Sequence, residues 1–206
     1  MNLSPNRARR FALSCLVALF ALSTGAFAQE KANALDFNLD PATTAIHWTL
    51  NTTVHTVHGT FKLKNGSLRI DPTTGNATGL IIIDATSGES GDSARDSRMH
   101  SVVLESSKYP TITFRPTQVE GKVDLTAPGP LTVNGILNLH GQDHPMQITV
   151  NLHPKDTAIT SQSHFTIPFV AWGLKDPSFM MFRTDKIVAL DIDATAIHSA
   201  DTANVR

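Results

Sequence analysis

Alternation of apolar and polar residues along most of the chain is the feature that most restricts its fold. Ile46, Trp48 and Leu50 alternate with polar neighbours, and Val188 to Ile192 repeats the pattern near the other end. A period of two is typical of β-strands with one buried face. Turn-forming segments separate roughly eight such runs, at the spacing of an antiparallel meander. The sequence therefore predicts an all-β fold closed as a barrel, with a sandwich as the alternative.

Local signals refine this prediction. Asn65-Gly66 predicts a hairpin turn, and the apolar run Leu80–Asp84 predicts a strand covered on both faces. Pro116 predicts an edge position or a bulge, because proline cannot donate to a sheet ladder. His140 to Asp143 predicts a tight turn.

One segment, Gly91 to Phe114, interrupts the alternation. It places Arg95, Asp96 and Arg98 within four positions, and Met99 and Val103 then follow at helical spacing. The pattern predicts a short helix near residues 96–106 that ends before Pro110. An insertion of this kind is expected to plug or rim one end of the barrel.

The first 28 residues are predicted to be a secretory signal peptide, with 29–206 as a single domain. Three arginines precede an apolar run that is too short to span a bilayer, and Ala26-Phe27-Ala28 resembles a cleavage site. The sequence therefore predicts a periplasmic or secreted protein without a transmembrane segment in its mature chain. Sec and twin-arginine export both remain open.

Charge and cysteine content restrict the mature protein further. Removal of 1–28 takes three of the 17 basic residues and none of the 18 acidic ones, which leaves 14 against 18 and a formal charge of −4. This charge argues against nucleic acid and against an anionic membrane surface as partner. Cys15 lies in the predicted signal, so the mature chain has no cysteine and depends on its core.

The predicted interior has two interpretations. The side chains either fill a packed barrel or line an apolar tunnel for a hydrocarbon chain, in which each buried CH₂ contributes about 0.8 kcal/mol. The candidate lining residues are Ile46, Trp48, Leu50, Phe61, Leu63, Phe114, Leu137, Leu139, Phe165, Ile167, Phe169, Trp172 and Ile192.

Charged residues near the interruptions are candidates for a polar mouth or for a pin that holds the loop. They are Arg95, Asp96, Arg98, Lys175, Asp176 and Arg183. For each residue alone, a surface salt bridge of little energetic value is the competing interpretation. Pinning of the loop to the barrel end by Arg95 and Asp96 is favoured over binding of a head group.

Metal and catalytic sites have weaker support. The chain has nine histidines, and His140 and His144 flank a predicted turn, but no paired zinc signature, Gly-x-Ser-x-Gly or phosphate loop is present. No catalytic residue and no metal ligand is therefore predicted. An enzyme acting on a lipid in the same cavity would require an ionisable pair inside the barrel, such as one involving His100 or Asp96. A histidine-based metal or stress-responsive module is the other alternative.

Several motifs resemble the YceI-like family. They are Ile46-His47-Trp48-Thr49-Leu50, His58-Gly59-Thr60-Phe61, Arg95-Asp96 with Met99-His100, Tyr109 to Phe114, and Leu131 to Leu137 before His140-Gly141. They occur in the family's order over almost the whole predicted mature chain. One departure lies at Ile167 to Arg183, where many members carry an Arg-x-Asp-Phe-Gly-like motif.

The resemblance implies an eight-stranded, lipocalin-like antiparallel barrel of the periplasm that binds polyisoprenoid or other long amphiphiles. It implies non-enzymatic carriage or sequestration of a long-chain apolar lipid, of isoprenoid quinone or polyprenyl type, inside the barrel. No cofactor is implied beyond such a bound isoprenoid lipid or quinone. A homodimer is compatible with the resemblance. The departure at Ile167 to Arg183 leaves the ligand open.

Overall fold

The computed structural model describes residues 34–155 and 158–199, and the predicted signal peptide lies outside these residues. The described part is almost entirely β-structure, as predicted. Its strands are β1 (Leu35–Leu39), β2 (Ala45–Asn51), β3 (Thr56–Ile70), β4 (Ala77–Glu89), β5 (Thr111–Glu120), β6 (Gly129–Leu139), β7 (Gln142–Lys155), β8 (Ala158–Ile167) and β9 (Val188–Ser199).

The strands form one closed antiparallel barrel with eight positions around its circumference. β1 and β2 share one position, because both pair with β3 on one side and with β9 on the other. Pairing of β3 with β4 closes the ring. The predicted eight-stranded barrel is therefore confirmed, with one of its strands broken at residues 40–44.

The Asn65-Gly66 hairpin prediction is wrong. β3 passes straight through this dipeptide and continues to Ile70. A register shift against β4 occurs between Leu63 and Asn65, so the pair lies at an irregularity within a long strand. A Cβ on Gly66 would clash with the side chain of Leu39, so this glycine admits the neighbouring β1. Tertiary packing thus overrides a local turn signal.

Three other local predictions have mixed outcomes. The bulge at Pro116 is confirmed, because the register of β5 on β6 shifts between Pro116 and Gln118. The turn at His140 is confirmed, since His140 and Gly141 have φ of 55° and 75° and connect β6 to β7. The strand at Leu80–Asp84 is confirmed, but its coverage on both faces is wrong at Leu80, which is 37% exposed.

The short helix covers one end of the barrel. Helix α1 (Ser93–Arg98) begins earlier than predicted and continues into a π-helical turn, Met99–Val103. Asp92 caps α1 by accepting hydrogen bonds from the backbone N–H groups of Ala94 and Arg95 at 3.0 and 2.9 Å. Those bonds, that to Arg95 foremost, hold the pKa of Asp92 below its ordinary value. Met99 and Val103 pack against the core cluster of the barrel.

Two apolar clusters lie in different parts of the interior. The larger one lies toward the helix and includes Trp48, Leu139 and Phe169. The smaller one lies at the opposite end and includes Phe37, Ile70 and Val119. Residues 121–128, which connect β5 to β6, contribute Val123 and Leu125 to this smaller cluster.

Candidate functional site

An apolar cavity of about 190 Å³ extends from the middle of the barrel toward the end opposite α1. This volume exceeds the ~150 Å³ of an engineered apolar cavity that binds benzene. Ile81, Phe114 and Ile148 line its middle part, and Phe37, Ile70 and Val119 line the far end. Val123, from the connection between β5 and β6, also reaches the cavity. The barrel is thus packed at the helix end and hollow toward the other end.

The thirteen predicted lining residues all belong to the larger apolar cluster, but the cavity divides them. Six line it: Ile46, Leu63, Phe114, Leu137, Phe165 and Ile192. Seven lie in the packed half instead: Trp48, Leu50, Phe61, Leu139, Ile167, Phe169 and Trp172. One half of the interior is therefore packed, and the other half contains an apolar cavity. A role in ligand binding stays a prediction for all thirteen.

Three hydroxyl groups interrupt the apolar lining on one wall. Thr44, Ser161 and Ser163 line the cavity, and they are its only hydroxyl-bearing side chains among the described residues. On one side of β9, Ser161 pairs with Ala194. On the other side, Ala45 pairs with Asp193, so Thr44, the residue before Ala45, lies beside Ala194. Thr44 and Ser161 are therefore about two strand spacings apart, roughly 10 Å, across a small alanine. We call these three residues the hydroxyl row.

Thr44 owes its position to the break between β1 and β2. Asp40 holds the connecting turn, because its carboxylate accepts hydrogen bonds from the Ala42 N–H at 3.0 Å and the Thr43 hydroxyl at 2.8 Å. The turn leaves the sheet, and Thr44 re-enters it facing the cavity. The Thr44 hydroxyl oxygen is buried and has no hydrogen-bond partner among the described residues. A buried, unpartnered hydroxyl is energetically unfavourable unless a bound group satisfies it.

The cavity lining carries no charge. Among the described residues, no side chain that lines it is ionisable. The cavity therefore has nothing to neutralise an anion and no acid–base pair of its own. The hydroxyl row can donate and accept hydrogen bonds, so it offers polar contacts to an uncharged group.

Arg95 and Asp96 hold α1 onto the end of β4. The Arg95 guanidinium donates from Nε to Ser90 Oγ at 2.7 Å and from Nη2 to the Ser90 carbonyl at 3.2 Å. The Ser90 hydroxyl in turn donates to Asp96. The two residues are thus joined through Ser90, and pinning of the loop to the barrel end stays a prediction.

Arg98, Lys175 and Arg183 are exposed, whereas Arg95 and Asp96 are half-buried. All five lie at the helix end of the barrel. None of the five lines the cavity. The Arg98 guanidinium lies 5.8 Å from the centre of the Phe179 ring. Contact of these charges with a ligand head group stays a prediction.

The histidines named by the metal and enzyme alternatives have structural partners. His100 Nε2 donates to the Gly88 carbonyl at 2.8 Å, and its Nδ1 accepts from the Ser106 hydroxyl at 3.0 Å. His140 Nε2 donates to Glu105 at 2.6 Å, which joins the helix cover to the turn between β6 and β7. His144 stacks on Trp172 with ring centres 4.0 Å apart. Within residues 34–155 and 158–199, no three His, Cys, Asp or Glu residues form a group that could hold a metal ion.

Neither the hydroxyl row nor the far end of the cavity was predicted from the sequence. Ser161 and Ser163 lie an even number of residues from the predicted interior residues Phe165 and Ile167, so they share the inner face of the same strand. This alternation, or strand parity, could have identified them. Thr44 is likewise an even number of residues from Ile46 and Trp48, but the predicted strand began at Ile46 and so left Thr44 out. The remaining missed residues belong to β1, to β4, to the connection between β5 and β6, and to the distal parts of β3, β5, β6, β7, β8 and β9.

Comparisons with known proteins agree with this architecture. The model of the YceI-like domain matches residues 37–196. UPF0312 proteins of Vibrio cholerae are 33% identical over 124 residues, which cover 57% of this chain and 62% of theirs. The matched region therefore spans less than two thirds of these relatives.

Two solved structures share the fold. A polyisoprenoid binding domain from Saccharophagus degradans has a TM-score of 0.63 and 19% identity, covering 80% of this chain and 99% of its own. BcnA of Burkholderia cenocepacia has a TM-score of 0.62 and 16% identity, covering 76% and 98%. Both similarities concern the barrel. Since the family model covers most of the barrel from β1 to β9, the chain belongs to the YceI-like family.

Proposed function

We propose that this protein binds and carries, or sequesters, a long-chain apolar lipid whose head group is uncharged and contains oxygen. The apolar chain occupies the cavity, and the oxygen accepts or donates a hydrogen bond at the hydroxyl row. The buried, unpartnered Thr44 hydroxyl in an otherwise apolar, uncharged lining is the observation that carries the proposal. The name of the Saccharophagus domain supports a polyisoprenoid chain.

The size of the cavity bears on how such a ligand is held. At about 0.8 kcal/mol per CH₂, roughly ten buried carbons supply the 8.2 kcal/mol of a micromolar affinity. A cavity of about 190 Å³ holds a ring or a short prenyl segment without rearrangement. A longer chain must displace the cover at residues 121–128, whose Val123 reaches the cavity. This cover has few packed side chains, so it is the part of the wall that yields most readily.

The uncharged lining favours one of the two lipid classes that the family resemblance implied. An isoprenoid quinone has neutral carbonyl oxygens, whereas a polyprenyl phosphate carries an anion. Transfer of an anion into an apolar cavity without a cation costs several kcal/mol. The quinone type therefore fits this cavity better. The same lining supports binding over catalysis, because the enzyme hypothesis requires an ionisable pair in the cavity.

Calorimetric titration with two ligands of equal chain length tests the proposal. A neutral prenyl quinone is expected to bind at least about tenfold more tightly than the matching prenyl phosphate, because only the phosphate must be desolvated without a partner. Equal or tighter binding of the phosphate would contradict the neutral head group. No binding of either ligand would contradict the cavity as the site.

A blocking variant and a matched control locate the ligand. Ala194 lies between Thr44 and Ser161, so Ala194→Leu fills the cavity beside the hydroxyl row and should weaken quinone binding at least about tenfold. Ala189 lies on the same strand outside the cavity lining, and Ala189→Leu should leave affinity unchanged. Equal affinities for both variants would place the ligand elsewhere.

We also propose that the protein acts in the periplasm or after secretion. This proposal depends on the signal peptide predicted for residues 1–28. Fractionation of the native host, with N-terminal sequencing of the mature protein, tests it. A cytoplasmic protein that retains residues 1–28 would contradict it.

A further inference from the structure

A protruding apolar hairpin at the helix end of the barrel is not explained by the cavity. Phe179, Met180, Met181 and Phe182 are 60%, 77%, 78% and 53% exposed. Val54 and Ile187, at 64% and 51%, lie on the segments beside them. These six account for most of the large apolar side chains that are exposed in the described residues. Such a concentration marks an interaction surface.

Backbone hydrogen bonds close the hairpin on itself in its exposed position. The Phe179 N–H donates to the Phe182 carbonyl at 3.0 Å, and the Phe182 N–H donates back at 2.9 Å, so Met180 and Met181 form the turn. Met180 has a φ of 52°, a backbone region that disfavours side chains other than glycine. The chain therefore keeps a large apolar side chain at the outermost position despite backbone strain.

Polar contacts at the base of the hairpin explain why it does not collapse onto the barrel. Asp176 accepts from the Ser178 N–H at 2.8 Å, and the Thr184 N–H donates to the Ser178 hydroxyl at 3.0 Å. The Thr53 N–H donates to the Arg183 carbonyl at 2.9 Å, which fixes the hairpin to the turn between β2 and β3. This framework keeps the four apolar side chains pointed into solvent.

The charges around the hairpin are mainly positive. Within residues 175–187, Lys175, Arg183 and Lys186 are exposed, against the exposed Asp185 and the half-buried Asp176. Arg98 adds a fourth exposed cation beside the Phe179 ring. Apolar side chains surrounded by exposed Arg and Lys suit the interface of a phospholipid bilayer, where the rings and thioethers insert and the cations remain among the head groups. The net charge of −4 predicted for the mature chain argued against an anionic membrane surface. That charge is a sum over all residues, whereas the exposed charges beside the hairpin are mainly positive.

We propose that the Phe179–Phe182 hairpin anchors the barrel to the surface of a phospholipid bilayer. A second copy of the chain is the competing occupant, but a stable protein interface takes about 20–30 residues a side, and this tip offers four. Anchoring here directs the cover at residues 121–128 away from the bilayer. The inference does not depend on the ligand proposed for the cavity.

Co-sedimentation of the purified full chain with phospholipid vesicles tests the anchor. With vesicles of phosphatidylcholine and phosphatidylglycerol in equal parts, the protein is expected to bind, and Met180→Asp/Met181→Asp to reduce binding at least about tenfold. Leu80→Asp/Ile197→Asp is the control, because it places the same two charges at exposed apolar positions elsewhere and should bind like the unmodified protein. Pure phosphatidylcholine should bind more weakly, because it attracts the cations less.

Three results would overturn the anchor. The first is a chain that does not sediment with vesicles, and the second is equal binding by both double variants. The third is self-association in the absence of lipid that Met180→Asp/Met181→Asp abolishes, which would assign the hairpin to a second copy. A thermal unfolding scan of each variant verifies that it is folded. Since these vesicles contain no prenyl lipid, a negative result leaves the cavity proposal standing.

Discussion

Thr44→Val should raise the stability of the ligand-free protein and lower its affinity for ligand. The substitution preserves the shape of the side chain and removes a buried hydroxyl that has no partner in the described structure. A buried unsatisfied group of this kind costs about 1–3 kcal/mol, so the free energy of unfolding should rise by that amount. At about 2–4 °C per kcal/mol for a domain of this size, the midpoint of thermal unfolding should rise by several degrees.

The same substitution removes one hydrogen bond to the proposed ligand. A net value of about 0.5–1.5 kcal/mol for that bond predicts a loss of about twofold to tenfold in affinity for a neutral prenyl quinone. The assays are urea unfolding of delipidated protein and calorimetric titration. Opposite changes in stability and affinity distinguish a binding hydroxyl from a structural one.

Thr160→Val is the matched control, because the Thr160 hydroxyl already donates to the His153 carbonyl at 3.1 Å and does not line the cavity. It should be neutral or slightly destabilising and should leave affinity unchanged. A destabilising effect of Thr44→Val, or an unchanged affinity, would refute the role of the hydroxyl row.

Three further predictions test helix α1 and the packed half of the barrel. Asp92→Ala should lower the melting temperature, because it removes the cap of α1. Since the pKa of Asp92 in the folded protein is lowered, the difference in melting temperature should persist at neutral pH and shrink as the pH falls through that pKa. A difference that does not change with pH would contradict the cap. Gly59→Ala should lower the free energy of unfolding, measured in urea, by about 1–3 kcal/mol, because the new Cβ would clash with the Glu89 carbonyl and the Trp48 ring. Gly129→Ala is the control and should be nearly neutral, because its Cβ would meet nothing within 4 Å. Leu139→Ala should cost about 2–5 kcal/mol of stability and leave ligand affinity nearly unchanged, because Leu139 does not line the cavity; a large loss of affinity would contradict the division of the interior.

Strand parity made much of the barrel predictable. Ile46 and Trp48, or Phe165 and Ile167, fall on one face because side chains alternate along a strand, and all four lie in the larger apolar cluster. Parity cannot say where packing ends and the cavity begins. Leu137 lines the cavity and Leu139 does not, although they are neighbours on one face of β6.

Features that depend on non-local packing were not predictable. Asn65-Gly66 has the composition of a hairpin turn, yet Gly66 serves the close approach of Leu39 from another strand. The break between β1 and β2 is not encoded by alternation either, so the predicted strand began at Ile46 and omitted Thr44. The exposure of Phe179 to Phe182 likewise follows from the polar framework around Ser178, and hydrophobicity alone would place these residues inside.

Native mass spectrometry of the protein purified from its own host shows whether the cavity carries a lipid. We expect one bound lipid per chain, with an apolar chain and an uncharged oxygen-containing head group that organic extraction identifies. We also expect Ala194→Leu to carry markedly less of it. A protein that is free of lipid and stays so after incubation with quinones, polyprenyl phosphates and fatty acids would rule out lipid binding in the cavity.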